Sequence, residues 1–522
     1  MPSIFIRNVS IVDGSGKPPY LSNVLVQDQY LTIIPVSESA PAEQIIDGTG
    51  LFLCPGFIDI HGHSDHYLGV APEAESKIFQ GVTTEIFGNC GYSPFFNRGP
   101  FKKHFCEECN QLGITNHWSN LSDFSEWIKT MQPAINYGTF AGHGTLRSAV
   151  MGRVKKDPDK NEMRKMIALF RESLDQGAFG LSTGLPYIPG CFANSNEIIQ
   201  LLLSTHDDTV IYATHMRSEG ETLIESIQES ITIAKKSTTK LQISHLKTSG
   251  RKNWHKINSV FEMLDRNSMD LDIAWDRYPY TASCTSLDIC LPDHLFDRGE
   301  ESALDEIKST RKAIESYLMA KEKDLSETLI IGTMSEHNKD LSGLTLQEAA
   351  GIRHKTIAAT LLDLLIEERF QVSAIFFSMS EENMERIICH PKTIVASDAS
   401  ARTKNSKTFL SNAHPRTYGT FPRFIKRFVL DHPLLSLENA IHRITGLPAM
   451  RIGLKKRGFI QDGYYADLVL LDLASLSDHA TYQQPTQTPS GIVMVMVNGS
   501  IAVEKGLQSK TRSGVFIKKN DT

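Results

Sequence analysis

The stretch Pro55-Gly56-Phe57-Ile58-Asp59-Ile60-His61-Gly62-His63 is an apolar run that ends in two histidines one residue apart. On a β-strand successive side chains alternate faces, so His61 and His63 point the same way, as two ligands of one metal must. The chain holds 18 histidines in 522 residues. Roughly 0.6 such pairs arise by chance at that density, so the motif needs further ligands elsewhere in the chain.

Outward from this stretch, apolar strand patterns at 57–63, 83–89, 136–143, 179–185, 210–217, 240–247, 269–280 and 392–398 alternate with helical patterns such as 161–175, 221–236, 254–266 and 381–389. Strands separated by helices argue for parallel βα units, and eight of them predict an α/β fold of the (β/α)8 barrel type. A ninth run, Val372-Ser373-Ala374-Ile375-Phe376-Phe377, leaves the strand count open. Residues about 285–345 break the alternation and read as an insertion after the seventh strand, either a lid over the site or a plain surface excursion. Short β-like runs before residue 50 and again after residue 465 each leave a hydrophobic face uncovered. They predict one β-domain assembled from both ends. The expected division is 1–54 and 452–522 for that domain and 55–451 for the barrel.

Hydrophobic residues at 41% and charged residues at 22% exclude a disordered, collagen-like or coiled-coil chain. A net charge of -6 on this length gives no electrostatic ground for nucleic acid or an acidic membrane as partner, so a small molecule is the expected one. Met1-Pro2-Ser3-Ile4-Phe5-Ile6-Arg7 lacks a secretory signal pattern, no run of about 18 apolar residues occurs, and the eight cysteines are scattered. These features predict a cytoplasmic protein with reduced thiols and no membrane contact. Cys106-x-x-Cys109 is either a metal or redox pair or an incidental spacing; no second C-x-x-C accompanies it.

In a barrel, catalytic groups stand where strands end at the C-terminal face. The first strand ends in His61 and His63, the second delivers Cys90, the fifth ends in His215, the sixth in His245 and the eighth in Asp398. Each has a plainer reading. Cys90 alone is a small buried hydrophobe, His215 or His245 alone a hydrogen-bonded core residue, Asp398 a turn or helix cap. Six metal-competent side chains at the ends of five strands favour a metal site, and the thiolate favours zinc over magnesium or calcium.

The chain resembles the D-aminoacylase (N-acyl-D-amino-acid deacylase) family of the amidohydrolase superfamily. The likeness is carried by Pro55-Gly56-Phe57-Ile58-Asp59-x-His61-x-His63, Gln80-Gly81-Val82-Thr83-Thr84, Gly88-Asn89-Cys90-Gly91, Thr214-His215-Met216-Arg217 and Ser244-His245-Leu246-Lys247. It continues through Tyr278-Pro279-Tyr280-Thr281-Ala282, Ser397-Asp398, His414-Pro415-Arg416-x-Tyr418-Gly419-Thr420-Phe421-Pro422, Thr445-Gly446-Leu447-Pro448-Ala449 and Gly463-x-x-Ala466-Asp467-Leu468-Val469. The resemblance implies a barrel, a small β-sandwich built from both termini and an insertion near the active site. It implies a tightly bound Zn2+ held by Cys90, His215 and His245, and a second, weakly filled position at His61, His63 and Asp398. Asp398 is then the residue that takes a proton from water and hands it to the departing amine. Tyr187 is the implied donor to the oxyanion, a packing tyrosine being the alternative. Arg416, Lys247, Tyr278 and the position of Cys284 are the implied contacts to the substrate carboxylate, Arg416 by two parallel hydrogen bonds.

Two departures bear on the substrate. Ala282-Ser283-Cys284-Thr285 stands where the family has Ala-Gly-Ser-Thr, which places the weaker donor Cys284 at the serine position. The Gly-x-Pro that usually follows the aspartate is replaced by Ala399-Ser400-Ala401-Arg402-Thr403-Lys404-Asn405. The expected reaction is zinc-dependent hydrolysis of the amide bond of an N-acyl-D-amino acid. The competing readings are a cyclic-amide (dihydropyrimidine or hydantoin) or dipeptide hydrolase of the same superfamily, disfavoured because those relatives more often carry a bridging lysine, and a non-catalytic scaffold, disfavoured because all six ligand positions are filled.

Overall fold

The computed structural model describes residues 3–115, 118–404, 406–408 and 412–519, so Asn405 of the loop after Asp398 lies outside the described residues. The eight barrel strands are Phe57–Asp59, Val82–Phe87, Asn136–Thr139 continued in Ala141–Gly142, Gly180–Gly184, Ile211–His215, Lys240–Ile243, Ile273–Arg277 and Thr393–Val395. Neighbours pair in parallel from the first strand through to the eighth. At Phe140, between the two parts of strand three, the backbone N–H still donates to Phe87 O at 2.9 Å.

Each strand is buried along its whole length or nearly so, which is why the strands read as continuous apolar runs. Ile58, Ile86, Phe140, Phe179, Ile211, Ala213 and Ile394 fill the barrel interior, and Ala449, Ile452, Leu454 and Ile517 pack into the same cluster. The barrel is therefore a packed core. Outer helices are fixed by local signals: Lys160–Asp175 begins with a capping box of Asp159 and Glu162 and buries Met163, Met166 and Phe170 on one face.

The two ends of the chain meet in one nine-stranded sheet, where Leu468–Leu471 runs antiparallel to Phe52–Pro55. The last described residues do not stay with that sheet. Tyr137 N donates to Val515 O at 3.0 Å and Ile517 N to Tyr137 O at 2.7 Å, so the tail returns to barrel strand three. The 452–522 span expected for the β-domain is too long at its end for this reason.

The insertion is larger than the expected 285–345. Ser283–Ser286, Leu329–Gly332 and Ser373–Phe376 form a separate antiparallel sheet with Ser373–Phe376 in the centre. The run at 372–377 is thus not a barrel strand. Periodicity marks a strand but not the sheet it joins; here the partners are Ser283–Ser286 and Leu329–Gly332. Leu304, Ile307, Leu346, Leu361, Leu362, Leu365 and Ala374 give the insertion a hydrophobic core of its own. Among the described residues no helix is long and apolar enough to cross a membrane. Leu361→Ala, at 0% exposure, is expected to cost about 2–5 kcal/mol through lost burial and the cavity left behind. Denaturant unfolding checks this, and an unmoved midpoint would contradict a packed insertion core.

Candidate functional site

Turns at the C-terminal ends of the strands carry the polar residues into one cluster. His61, Cys90, His245 and Asp398 place one ligand atom each within 4.8 Å of one another. His63 Nε2 lies 3.0 Å from Asp398 Oδ1, and His61 Nε2 lies 3.5 Å from the same oxygen. Cys90 Sγ is 3.4 Å from His61 Nε2 and 3.6 Å from His245 Nε2. The His215 ring meets the His245 ring edge-on at 4.4 Å. The six residues singled out in the sequence thus converge on one site. Cys90, His245 and Asp398 adopt φ of 51°, 36° and 50°, a left-handed conformation that costs a non-glycine residue energy and recurs at functional sites.

Two carboxylates absent from the sequence reading orient the rings. Asp276 Oδ1 accepts from His61 Nδ1 at 2.9 Å and from the His245 backbone N–H at 2.8 Å, while its Oδ2 accepts from Gln242 Nε2 at 2.9 Å. This turns His61 Nε2 toward Cys90 and Asp398, the arrangement in which a carboxylate fixes the tautomer of a metal-binding histidine. Glu219 Oε1 faces His245 Nδ1 at 2.7 Å and pairs with Lys247 Nζ, and its Oε2 is 3.8 Å from His215 Nε2. Asp276 had a signal, an acid at the end of the apolar strand Ile273-Ala274-Trp275; Glu219, in a loop, had none.

Burial disfavours charge on Cys90, Asp398, His61 and His63, and mutual attraction reverses the balance at all four, whereas burial prevails at His215 and lowers its pKa. The Cys90 thiol is held well below the ordinary range against its burial, by His61 and then by hydrogen bonds from His215 and His245. Asp398 is likewise held well below the usual carboxylate range, against burial, by Arg416, His245 and His63. Against the same burial, His61 is raised well above the ordinary imidazole value, chiefly by Asp276, and His63 is raised to about 9, chiefly by Asp398. A thiolate, a carboxylate and imidazoles with converging lone pairs are the donor set a zinc ion takes, and binding displaces the protons these imidazoles carry.

The expected substrate contacts divide into free and engaged. Arg416 Nη1 sits 2.9 Å from Asp398 Oδ2 yet makes no aligned hydrogen bond, and the buried Tyr278 hydroxyl has no partner among the described residues. The Arg416 guanidinium lies over the Tyr278 ring at 4.6 Å, so the two groups are neighbours. Lys247 is engaged by Glu219. Burial raises the Cys284 thiol, with Arg416 opposing, so it stands near that guanidinium as a neutral, weak donor. The Tyr187 ring packs edge-on against His215 at 4.9 Å, and its hydroxyl lies 3.1 Å from Thr285 Oγ1 of the insertion. A cavity of about 280 Å3 opens beside Tyr187, walled by Ile188, Ile289, Leu291, Phe296 and Phe370. Cys106 and Cys109 share the helix Phe101–Leu112, and neither joins a ligand cluster among the described residues.

Residues 410–503 match the model of the Amidohydrolase family. The chain is 32% identical over 501 residues to an N-acyl-D-aspartate deacylase of Alcaligenes xylosoxydans xylosoxydans, covering 95% of this chain and 90% of that one. It belongs to the D-aminoacylase family of amidohydrolases. A D-aminoacylase of the same organism is also 32% identical, over 95% of this chain and 93% of its own. The crystal structure of an N-acyl-D-glutamate deacylase from Bordetella bronchiseptica, complexed with zinc and a phosphonate mimic of the tetrahedral intermediate, superposes with a TM-score of 0.85 at 27% identity, covering 99% of each chain. D-aminoacylase family membership thus agrees with the barrel and with the ligand cluster at its C-terminal face.

Glu219 offers a test of these electrostatics. Against burial, Lys247, His245 and His215 hold its carboxyl well below the usual range. A carboxyl whose folded pKa lies below its unfolded value of about 4.3 contributes stability that is complete above that value and is lost as pH falls toward the folded one. Glu219→Gln removes that contribution and leaves Lys247 a buried cation without its carboxylate, an expected loss of about 3–5 kcal/mol at pH 7. Denaturant unfolding at pH 7 and at about pH 2.5, well below the unfolded value, should show a smaller fall between the two in the variant; an unchanged fall would reject the pairing.

Proposed function

We propose that this chain is a zinc-dependent deacylase that hydrolyses the amide bond of N-acyl-D-amino acids to a carboxylate and a free D-amino acid. The observation that carries the reading is the convergence of Cys90, His61, His245 and Asp398 within 4.8 Å, beside the buried Tyr278 hydroxyl, which has no hydrogen-bond partner among the described residues, and the Arg416 guanidinium, which is ion-paired with Asp398. A deacylase of this kind has to activate water and grip a carboxylate within a few ångströms, and here the groups for both needs stand side by side, Arg416 against Asp398 and over the Tyr278 ring. D-stereochemistry is supported by the family, in which the similar proteins are deacylases of D-amino-acid derivatives.

Cys90, His215 and His245 would hold the tight zinc, and His61, His63 and Asp398 the looser second position. When bound, zinc supplies Lewis acidity to the amide carbonyl and a water of lowered pKa. Asp398, already ionised, accepts the proton that the attacking water sheds and delivers it to the amide nitrogen as the C–N bond breaks. The Tyr187 hydroxyl stays protonated, since burial and then Cys90 hold its pKa well above the ordinary value. It can therefore donate to the carbonyl oxygen as charge gathers there, a contribution of about 2.7–4 kcal/mol for one such donor. Arg416 and Tyr278 take the α-carboxylate. Lys247, neutralised by Glu219, lends orientation to His245, and Cys284 leaves that side of the carboxylate with a weak donor. Cys54, Cys90, Cys106, Cys284, Cys290 and Cys389 carry free thiols, which supports a reducing, cytoplasmic setting.

A matched panel of N-acetyl-D- and N-acetyl-L-amino acids, assayed after zinc addition and after chelation, tests the reading. Turnover confined to the D-series and abolished by chelation is expected; turnover of the L-series alone would sink the stereochemical half. Asp398→Asn should keep the tight zinc and lose about 10²–10⁴-fold in kcat, and near-parental turnover would remove it from the proton path. Cys90→Ala should be purified without the tight zinc while His61→Asn keeps it, which elemental analysis decides; loss of all metal from His61→Asn would move the histidine pair to the centre of the site.

A further inference from the structure

The barrel closes between strand one and strand eight, yet no regular ladder joins those two strands. Backbone pairing occurs only beyond their ends, where Asp398 N donates to His61 O at 2.9 Å and His63 N to Ala399 O at 3.0 Å. Below that point the seam is held by side chains. Asp59 Oδ1 accepts the Ser397 backbone N–H at 3.0 Å, taking the place of a ladder carbonyl. Lys77 Nζ, wholly buried, donates to Asp59 Oδ2 at 2.6 Å, to Ser397 Oγ at 2.9 Å and to Ala399 O at 2.8 Å, and lies 3.5 Å from Glu85 Oε1. Glu85 in turn accepts the Ser64 N–H at 3.1 Å and its hydroxyl at 2.8 Å, and Ser64 Oγ accepts the Ala401 N–H at 2.7 Å.

One ammonium therefore grips the residues on both sides of Asp398, and through Glu85 and Ser64 it reaches the residue after His63. We propose that Lys77 is a positioning residue that holds Asp398 and His63 in register by closing the seam between barrel strands one and eight. This rests on the roles assigned above to Asp398 and His63. The strand-eight segment needs such a hold because Asp398 is kept at a positive φ, a conformation that persists only where surrounding contacts enforce it. Against burial, Asp59 and Glu85 raise the Lys77 pKa above its ordinary value, so the group remains an ammonium. A buried ion cluster adds little stability over apolar residues of similar size. Its three donated hydrogen bonds, all to the seam, give it a geometric task instead.

The test uses the full chain with Lys77→Met and, as a smaller change, Ser397→Ala. Each is loaded with one zinc, titrated calorimetrically with further Zn2+, and assayed for kcat and KM on the N-acetyl-D-amino acid that the parent turns over. Both variants should keep the tight zinc, while affinity at the second position and kcat per bound tight zinc fall by about 10–100-fold, the usual consequence of removing a group that orients metal ligands. KM should stay within about 3-fold, since substrate binding is not the step disturbed. Second-site affinity and kcat both within about 3-fold of the parent in folded variants would overturn the proposal and leave Lys77 a folding element only. If Lys77→Met does not fold, Ser397→Ala decides; if the parent takes up no second zinc, kcat per bound zinc decides. Should the parent hydrolyse no N-acyl-D-amino acid, the proposed function fails, and the metal titration still judges the seam.

Discussion

Burying the Cys90 thiolate beside the Asp398 carboxylate is the constraint to which the rest of the site answers. Two anions with little water near them are tolerated only if cations or hydrogen-bond donors face both. Here His61, His215 and His245 face the sulfur, and Arg416, His245 and His63 face the carboxylate. The cations need anions behind them in turn, and Asp276 and Glu219 supply that outer ring. The outcome is alternating charge radiating from the barrel mouth, in which the His61 and His245 rings are oriented by a carboxylate before any metal arrives. Preorganisation of this kind lowers the reorganisation required when charge develops on a substrate.

The barrel makes this arrangement affordable. Its interior is filled by side chains such as Ile58, Phe140, Phe179 and Ile394, so the strand ends form a rigid rim from which short side chains reach a common point. The seam between strands one and eight is the weak place in that rim, because it lacks a backbone ladder. Asp59, Lys77, Ser397 and Glu85 repair it with ionic hydrogen bonds. The insertion adds a different element: with its own core it rests over the barrel mouth and brings Thr285 to the Tyr187 hydroxyl.

Much of this organisation was legible in the sequence. Eight apolar runs separated by amphipathic helices encode the barrel, because strand and helix periodicities are local properties of the chain. The metal-competent residues were legible because each terminates one of those runs, at the position where a barrel exposes its side chains. The strand at 373–376 was legible as a strand and not as part of the insertion, since alternation says nothing about the partner. Asp276 and Glu219 were missed because their importance lies in ring nitrogens brought to them from strands one and six.

The sequence by itself determined the (β/α)8 class, the contribution of both termini to one β-domain and the identity of the His, Cys and Asp cluster, all of which follow from residue type and spacing. Only the tertiary structure decided which way the His61 and His245 rings turn, that Arg416 and Tyr278 stack beside Asp398, and that Lys77 spans the closing seam. The physical reason is range. Periodicity acts over a few residues, whereas the pairs Asp276 with His61, Glu219 with His245 and Lys77 with Ser397 join positions 215, 26 and 320 residues apart, and only the folded barrel brings them within hydrogen-bonding distance.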